Sequence, residues 1–589
     1  MAQQVFKSYN QNQMMLLPPS LDELIAEGHI VRFINKAVDS IDTTDLVDSY
    51  QGGGTSAYHP VMLLKVLVYA YTKKIFTVRP MAAALCEDIN FMWLSGMNRP
   101  DFRTINNFRS GRLKPHIERI FTSLLETLIE QGYINLKNYF VDGSKWEANA
   151  NPHSHVWAKN TKRYKAKTRE RIEKLLKEID ALNEEENQLY GDKDLEEKGE
   201  GKDLNSKDVE EKLEILKTKL DQQKKQQQEN NQQENSQQEN NQQENSQQEN
   251  NQKENNQQGD NQQDNGPSPK KARKNIKKIE TRIGWIEKRE LKKLKKYETQ
   301  EHTLQGRNSY SKTDTDASFM RMKDDRLRAG YNILLGSESL FVVNYSLHQN
   351  PGESGLFTAH MNKLRLSLGR LPENIVGDSA YGSLTNYTYL AQHQLGNYLK
   401  FNTFHKEKTR KYKNNPYLRD NMAYDEEKDE FTCGQGRKLR YKENETRKNA
   451  NGQEITYRVY ECEDCSGCPV ANECKKSSQS NRSVRVNWSL ESYKQNARDN
   501  LHSPTGKALR KQRNYDVEAV FGLLKQNMGH RRFYLRGYDK ASLEFGLLCF
   551  ASNIKLWFER MRAHQNKTAK NMASLFFQNS NPTVADYIP

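Results

Sequence analysis

Apolar positions follow three patterns along this chain, and each predicts a different kind of structure. Through residues 1–132 they recur at helical spacing. Ser20 and Glu23 stand at capping-box spacing and predict a helix carrying Leu24, Ile25, Ile30, Val31 and Ile34. Pro60 opens VMLLKVLVYAYT, which is apolar on nearly every face and is therefore expected to be buried. A later helix carries Ile120, Leu124 and Leu128 beside Phe121, Leu125 and Ile129, and Gly132 closes it. Between them, MAAALCEDINFMWLSGMNRPDFRTINNFRSGRLK reads as two helical segments meeting across SGMNRPD. That is either a helix-turn-helix offering Arg103, Asn106, Asn107, Arg109 and Arg112 to a DNA groove, or an ordinary bundle with surface arginines.

The second pattern is the short apolar run of strands. One run ends near Tyr139–Asp142; LLGSESLFVVNY predicts a hairpin; a helix over 354–369 leads to the strand NIVGDSA, then to a helix and the strand NYLKFNTF. Strands alternating with helices predict a mixed α+β or α/β sheet. Asp142 and Asp378 are each expected at the end of a strand, before a small polar turn. Asp314 and Asp316 precede their strand and read as turn or capping acids.

The third pattern is a thin apolar seam on highly charged helices: Ile172, Leu175, Ile179 and Leu182; then Val209, Leu213, Leu216 and Leu220; then Ile276, Ile279, Ile283 and Ile286. They predict an antiparallel helical hairpin over 161–305. Its tip is a Gln/Asn/Glu tract, 222–268, in which NQQENSQQEN recurs unchanged; with no apolar residue to bury, it is expected to be disordered.

Composition adds a partner and a compartment. The chain has 589 residues, a hydrophobic fraction of 35% and a formal charge of +15. That length calls for several domains, and the positive excess favours a polyanion. No apolar run is long enough to cross a membrane, and the first residues lack the pattern of a signal peptide, so a cytoplasmic protein is expected. In that compartment the seven cysteines do not read as a disulfide framework. Cys462, Cys465, Cys468 and Cys474 are spaced by two, two and five residues, with Cys433 upstream. Such packing suggests structural Zn2+; an iron–sulfur cluster and free thiols stay open as alternatives.

Residues 510–537, RKQRNYDVEAVFGLLKQNMGHRRFYLRG, predict one amphipathic helix with Val517, Val520, Phe521 and Leu524 inward, stopping at Gly529. Seven residues make almost two turns, so Glu518 and Lys525 are expected on one face, with Arg531, Arg532 and Arg536 just beyond. A further helix over 540–562 carries Leu543, Leu547, Phe550, Ile554 and Trp557, and SNPTVADYIP reads as a loose tail. Carboxylates from two strands and a helix, if they converge, can hold two hard divalent cations.

Three stretches, VDGSKWEANA, GDSAYGS and RNYDVEAVFGLLK with its GHRRFYLRG tail, together resemble the DDE transposases of bacterial insertion sequences. The resemblance implies an RNase H-like catalytic core behind an all-α DNA-binding domain. It implies Asp142, Asp378 and Glu518 as the catalytic acids holding two Mg2+ (or Mn2+), with Lys525 as the helical lysine. It further implies double-stranded DNA as partner, at both element ends and target, and a homodimer on that DNA. Where relatives often carry an arginine four residues before the glutamate, this chain has Asn514, and Arg513 is the nearest candidate for the phosphate contact. The expected organisation is a helical domain over 1–132, core over 133–160 and 306–404, the hairpin over 161–305, a Cys-rich insert over 405–485, core helices over 486–562 and a tail over 563–589. A catalytically silent DNA-binding regulator and a nuclease that stops after hydrolysis are the alternatives.

Overall fold

A computed structural model describes residues 20–50, 57–190, 204–245, 269–353, 355–448, 454–475 and 480–579. The chain divides into two compact units, residues 1–152 with 313–589, and residues 153–312. In chain order the first eight strands are β1 (Asn138–Glu147), β2 (His155–Trp157), β3 (Ser309–Ser311), β4 (Ser318–Arg321), β5 (Leu327–Glu338), β6 (Phe341–His348), β7 (Asn374–Gly377) and β8 (Gly396–Leu399).

Six of these strands make the central sheet of the larger unit. Its order is β4-β5-β1-β7-β8, with β6 also on β5. The β1–β5, β4–β5 and β5–β6 pairs are antiparallel; β1–β7 and β7–β8 are parallel. The helix Phe357–Leu368 makes the crossover from β6 to β7. A mixed sheet behind a helical N-terminal region is the architecture expected of an RNase H-like core. Asp142 departs from expectation: it lies mid-strand, because β1 continues to Glu147 along its long antiparallel partner β5.

The N-terminal helices follow the apolar pattern with two changes. Pro60–Thr72 is buried almost throughout, and Ile117–Glu130 buries Ile120, Leu124 and Leu128. Ser20 and Glu23 do bond as a cap, but within a turn; the helix starts at Ile30 behind His29. Of the arginines read as groove-facing, Arg109 is 2% exposed and donates to the Phe76 carbonyl at 2.9 Å, so it holds the bundle together. Arg103, Asn107 and Arg112 are exposed.

Near the C-terminus the expected single helix is three pieces: Pro504–Tyr515, Val517–Gly522 and a π-helical turn Leu523–Asn527. Asp516 makes the break. Its carboxylate accepts from the Ser337 hydroxyl at 2.7 Å and the Leu340 amide at 3.2 Å, and so ties the segment to the β5–β6 turn instead of continuing the helix. The last helix, Tyr538–Asn579, runs well past 562, so much of the expected tail is helical; SNPTVADYIP lies outside the described residues. Asp314 and Asp316 act as expected, accepting from the Gly537 and Tyr538 amides at its start.

In the smaller unit the three seams become three helical rods, not a hairpin: Ala158–Tyr190, Ser206–Asn245, and Pro269–Leu304 with a π-helical turn at Ile286–Glu290. Ile172, Ile179, Val209, Leu213, Ile279 and Ile283 share one core, which requires a helix for each seam. The second rod carries on into the polar repeat as far as Asn245, since Gln, Glu and Lys are good helix formers and no Gly or Pro interrupts them. The rest of the tract expected to be disordered, 246–268, lies outside the described residues.

Residues 423–486 form a separate antiparallel sheet in the larger unit, β13 (Ser483–Val486), β12 (Glu454–Cys462), β11 (Lys438–Lys448), β10 (Glu430–Thr432) and β9 (Ala423–Asp425). Its core is small: Met422, Phe431, Leu439, Tyr460, Val484 and Val486.

Candidate active site

The parallel pairing of β1 with β7 puts the two aspartates level. Phe140 pairs with Val376, and each aspartate lies two residues further along its own chain. The β1–β7 pairing stops there among the described residues, and the next partner on that side of β1 is Arg532, bridged to Glu147. Asp378 caps the short 3-10 turn Ser379–Tyr381, accepting from the Ser379 amide at 2.7 Å, and Lys400 stands 3.9 Å from it.

Alternate residues of β1 meet successive points of the C-terminal segment, as strand periodicity requires. Asp142 meets Arg513 at 3.1 Å; Ser144 accepts from the Lys525 ammonium at 2.7 Å; the Trp146 indole donates to His530 Nδ1 at 3.0 Å. Arg513 also reaches Glu518, at 3.2 Å. Its side chain is only 6% exposed, so one buried guanidinium bridges the first and third acids. Burial pushes the Asp142 carboxyl up, Arg513 draws it back down, and the Asp378 and Glu518 charges push it up again.

Lys525 does not share a free face with Glu518. The π-helical turn Leu523–Asn527 sets the lysine against β1, where it also donates to the Lys145 carbonyl at 3.0 Å and lies over the Trp146 ring. Burial, with the nearby Lys323 charge, lowers its pKa to about 8.

Beyond Gly529, His530 and Glu544 are both fully buried and bond at 2.8 Å. Glu544 further accepts from the Tyr534 and Leu535 amides, which fixes the HRRFYLRG segment. Phe533 donates its amide to the Glu147 carbonyl at 2.9 Å, laying this segment along the end of β1. Arg531, Arg532 and Arg536 are exposed there; Arg532 and Arg536 bond Asn149, and Arg531 bonds Gln526.

Three residues at the site escaped the sequence reading. Lys400 lies beyond its strand with nothing to mark it. Tyr381, within GDSAYGS, is fully buried beside the acids. Glu353 sits in NPGESG, whose Gly and Pro content signals only a turn.

The donor set tests the divalent ions. Hard oxygen ligands from Asp142, Asp378 and Glu518 suit Mg2+ or Mn2+. A cation is already accommodated among them, the Arg513 guanidinium. Yet among the described residues no three carboxylate, thiol or imidazole groups stand at metal-coordinating spacing. The acids therefore fit in type, and a divalent ion between Asp142 and Glu518 needs Arg513 to move.

The same limit holds for the thiols. Cys433, Cys462, Cys465, Cys468 and Cys474 are all unpaired as disulfides and line one small cavity of about 20 Å³. Cys433 reaches it from the turn between β10 and β11, and Cys462 from the end of β12. Cys462 is buried in the small core.

Comparison with known proteins gives two partial family matches. Residues 19–111 match a transposase domain family (DUF772), and residues 432–557 match a transposase DDE domain family. The pair, in this order on one chain with the mixed sheet between, supports an insertion-sequence DDE transposase. The second match covers Glu518 and the cysteines; Asp142 and Asp378 lie outside both. No curated protein and no solved structure matches the chain. Among the described residues no helix is long and apolar enough to cross a membrane.

Proposed function

We propose that this transposase binds the ends of its element as a homodimer and uses Asp142, Asp378 and Glu518 to cut and join DNA strands. The reading rests on one observation above all: two aspartates level on adjacent parallel strands, with Glu518 linked to the first through Arg513. These acids would hold two Mg2+ (or Mn2+), which supply charge neutralisation at the attacking and leaving oxygens of an in-line displacement. The protein's own part is placement. Water attacks the phosphorus at the element end, breaking its bond to the 3′ oxygen and leaving the phosphate on the flanking strand; the freed 3′ hydroxyl then attacks a target phosphorus and expels a target 3′ hydroxyl. Lys525, Arg531, Arg532 and Arg536 would hold phosphates in register without reading sequence. Arg513 balances the acids in the metal-free protein and can turn to a phosphate once divalent ions replace it.

Asp142→Asn, Asp378→Asn and Glu518→Gln should each abolish nicking and 3′-end joining while DNA binding persists. Full cleavage by a purified variant would exclude that residue. Cys462, Cys465, Cys468 and Cys474, with Cys433 in reserve, would hold a structural Zn2+ that braces the small five-stranded sheet. Elemental analysis of purified protein should find about one zinc per chain; none, or iron with labile sulfide, rejects this assignment.

A further inference from the structure

The loop after β6 carries Glu353 into the acid cluster from the opposite face of β1. Successive strand residues alternate in direction, so the Gly143 position faces away from Asp142. There the missing side chain leaves a space, and Glu353 fills it. A Cβ on Gly143 would lie 2.6 Å from the Glu353 Cδ and Oε1 atoms and 2.9 Å from Oε2. Between Phe140 and the Glu147–Arg532 bridge, no strand pairs with the β7 side of β1 among the described residues, so that edge stays open next to Asp142 and Gly143.

The following helix, Phe357–Leu368, has Leu356 at its N-cap and no side-chain cap bond, so the Glu353 carboxylate is not spent on its N-terminus. Among the described residues no ion pair engages its carboxylate. Burial and the Asp142 charge push its carboxyl up, the Tyr381 hydroxyl and the Lys145 charge draw it back down, and the Asp378 charge pushes it up again. Tyr381, fully buried, ends beside it without closing an ordinary hydrogen bond, and the Arg513 Nε is likewise buried and unpartnered. A half-buried carboxylate set against two others is repulsive unless a cation joins them.

We infer that Glu353 is a fourth carboxylate of the divalent-metal site, and that Gly143 is a glycine because only the bare backbone admits it. This rests on the reading that Asp142 and Asp378 hold the metal. Glu353 would supply a further oxygen donor, and the Tyr381 hydroxyl would orient that carboxylate.

The test is Mn2+ binding to the full chain, followed by the electron paramagnetic resonance signal of free Mn2+, together with thermal melts in EDTA. Glu353→Gln keeps size and shape; Gly143→Ala displaces only the flexible end of Glu353. Both should weaken Mn2+ binding by about tenfold or more, the scale of losing one supporting group at a metal. In EDTA, Glu353→Gln should melt no lower than wild type, because a repulsive charge has been removed. Wild-type binding by both variants while Asp142→Asn loses Mn2+ would overturn the role of Glu353 and leave the acid site standing. Wild-type binding by Asp142→Asn would overturn both. A lower melt for Glu353→Gln in EDTA would mark a structural glutamate and overturn the inference.

Discussion

Two polar clusters join β1 to the C-terminal segment, and they are built on opposite terms. At Trp146 the cluster of His530 and Glu544 is fully buried, and its members bond one another and two backbone amides. At Asp142 the cluster is partly open: Asp142 is 21% exposed and Glu518 51%. It sets Asp142 and Glu518 on Arg513 and Asp378 near Lys400, and leaves the Tyr381 hydroxyl and Arg513 Nε unpartnered. Buried polar groups satisfied among themselves hold a fold; a surplus of like charge at an opening waits for a ligand. The two lie four residues apart on one strand face, so the first fixes the frame in which the second works.

The sharpest contrast comes from breaking each cluster in turn. Asp142→Asn should cost about 4 kcal/mol of transition-state stabilisation, roughly a thousandfold in strand cleavage, with little change in melting temperature. Glu544→Ala should do the reverse in kind. It leaves the buried His530 and two part-buried amides unpaired, which costs about 3–5 kcal/mol of folding stability. Urea unfolding of both variants beside a nicking assay measures the pair; a large stability loss in Asp142→Asn would erase the distinction.

Arg513→Met sharpens the comparison by removing the cation that serves the open cluster. Without metal, Asp142 and Glu518 then repel each other, and the variant should melt several degrees lower in EDTA. Added Mn2+ should raise its melting temperature by more than it raises wild type, since the ion no longer competes with a guanidinium. Equal shifts would mean that Arg513 and metal occupy separate places.

The smallest effect concerns Lys525. Its pKa is lowered to about 8 by burial and by Lys323. A phosphate contact needs the charged ammonium, so DNA affinity should weaken as pH rises through about 8, and protons should be taken up on binding above that pH. Lys525→Met should lose this pH dependence, with a salt slope smaller by about one. A wild-type affinity flat between pH 7 and 9 would remove Lys525 from the DNA contact.

How much of this could be read from the chain depended on whether periodicity carried the information. Val517, Val520, Phe521 and Leu524 report their buried face by spacing alone, and so do the three seams of the smaller unit. Spacing did not reveal that the helix breaks at Asp516, because the cause is a hydrogen bond to Ser337, far away in sequence. For the same reason it missed the inward turn of Lys525: a π-helical turn shifts the phase that a regular helix would keep. The three-rod packing was also hidden, since each seam states its own apolar stripe and not how many partners share it. The motifs singled out Asp142 and Asp378, and the sheet register puts them level. Glu353 was not, because a loop glutamate is ordinary until Gly143 is seen to make room for it.

On the proposed reading, Asp142, Asp378 and Glu518 together hold the divalent ions. Replacing Mg2+ with Fe2+ and adding ascorbate and peroxide generates hydroxyl radicals at the bound ion, which cut the polypeptide nearby. Mapping of the fragments should give cuts near residues 142, 378 and 518 that vanish with excess Mg2+ and in Asp142→Asn. Cuts confined to the cysteine-lined cavity, or none near the three acids, would contradict it.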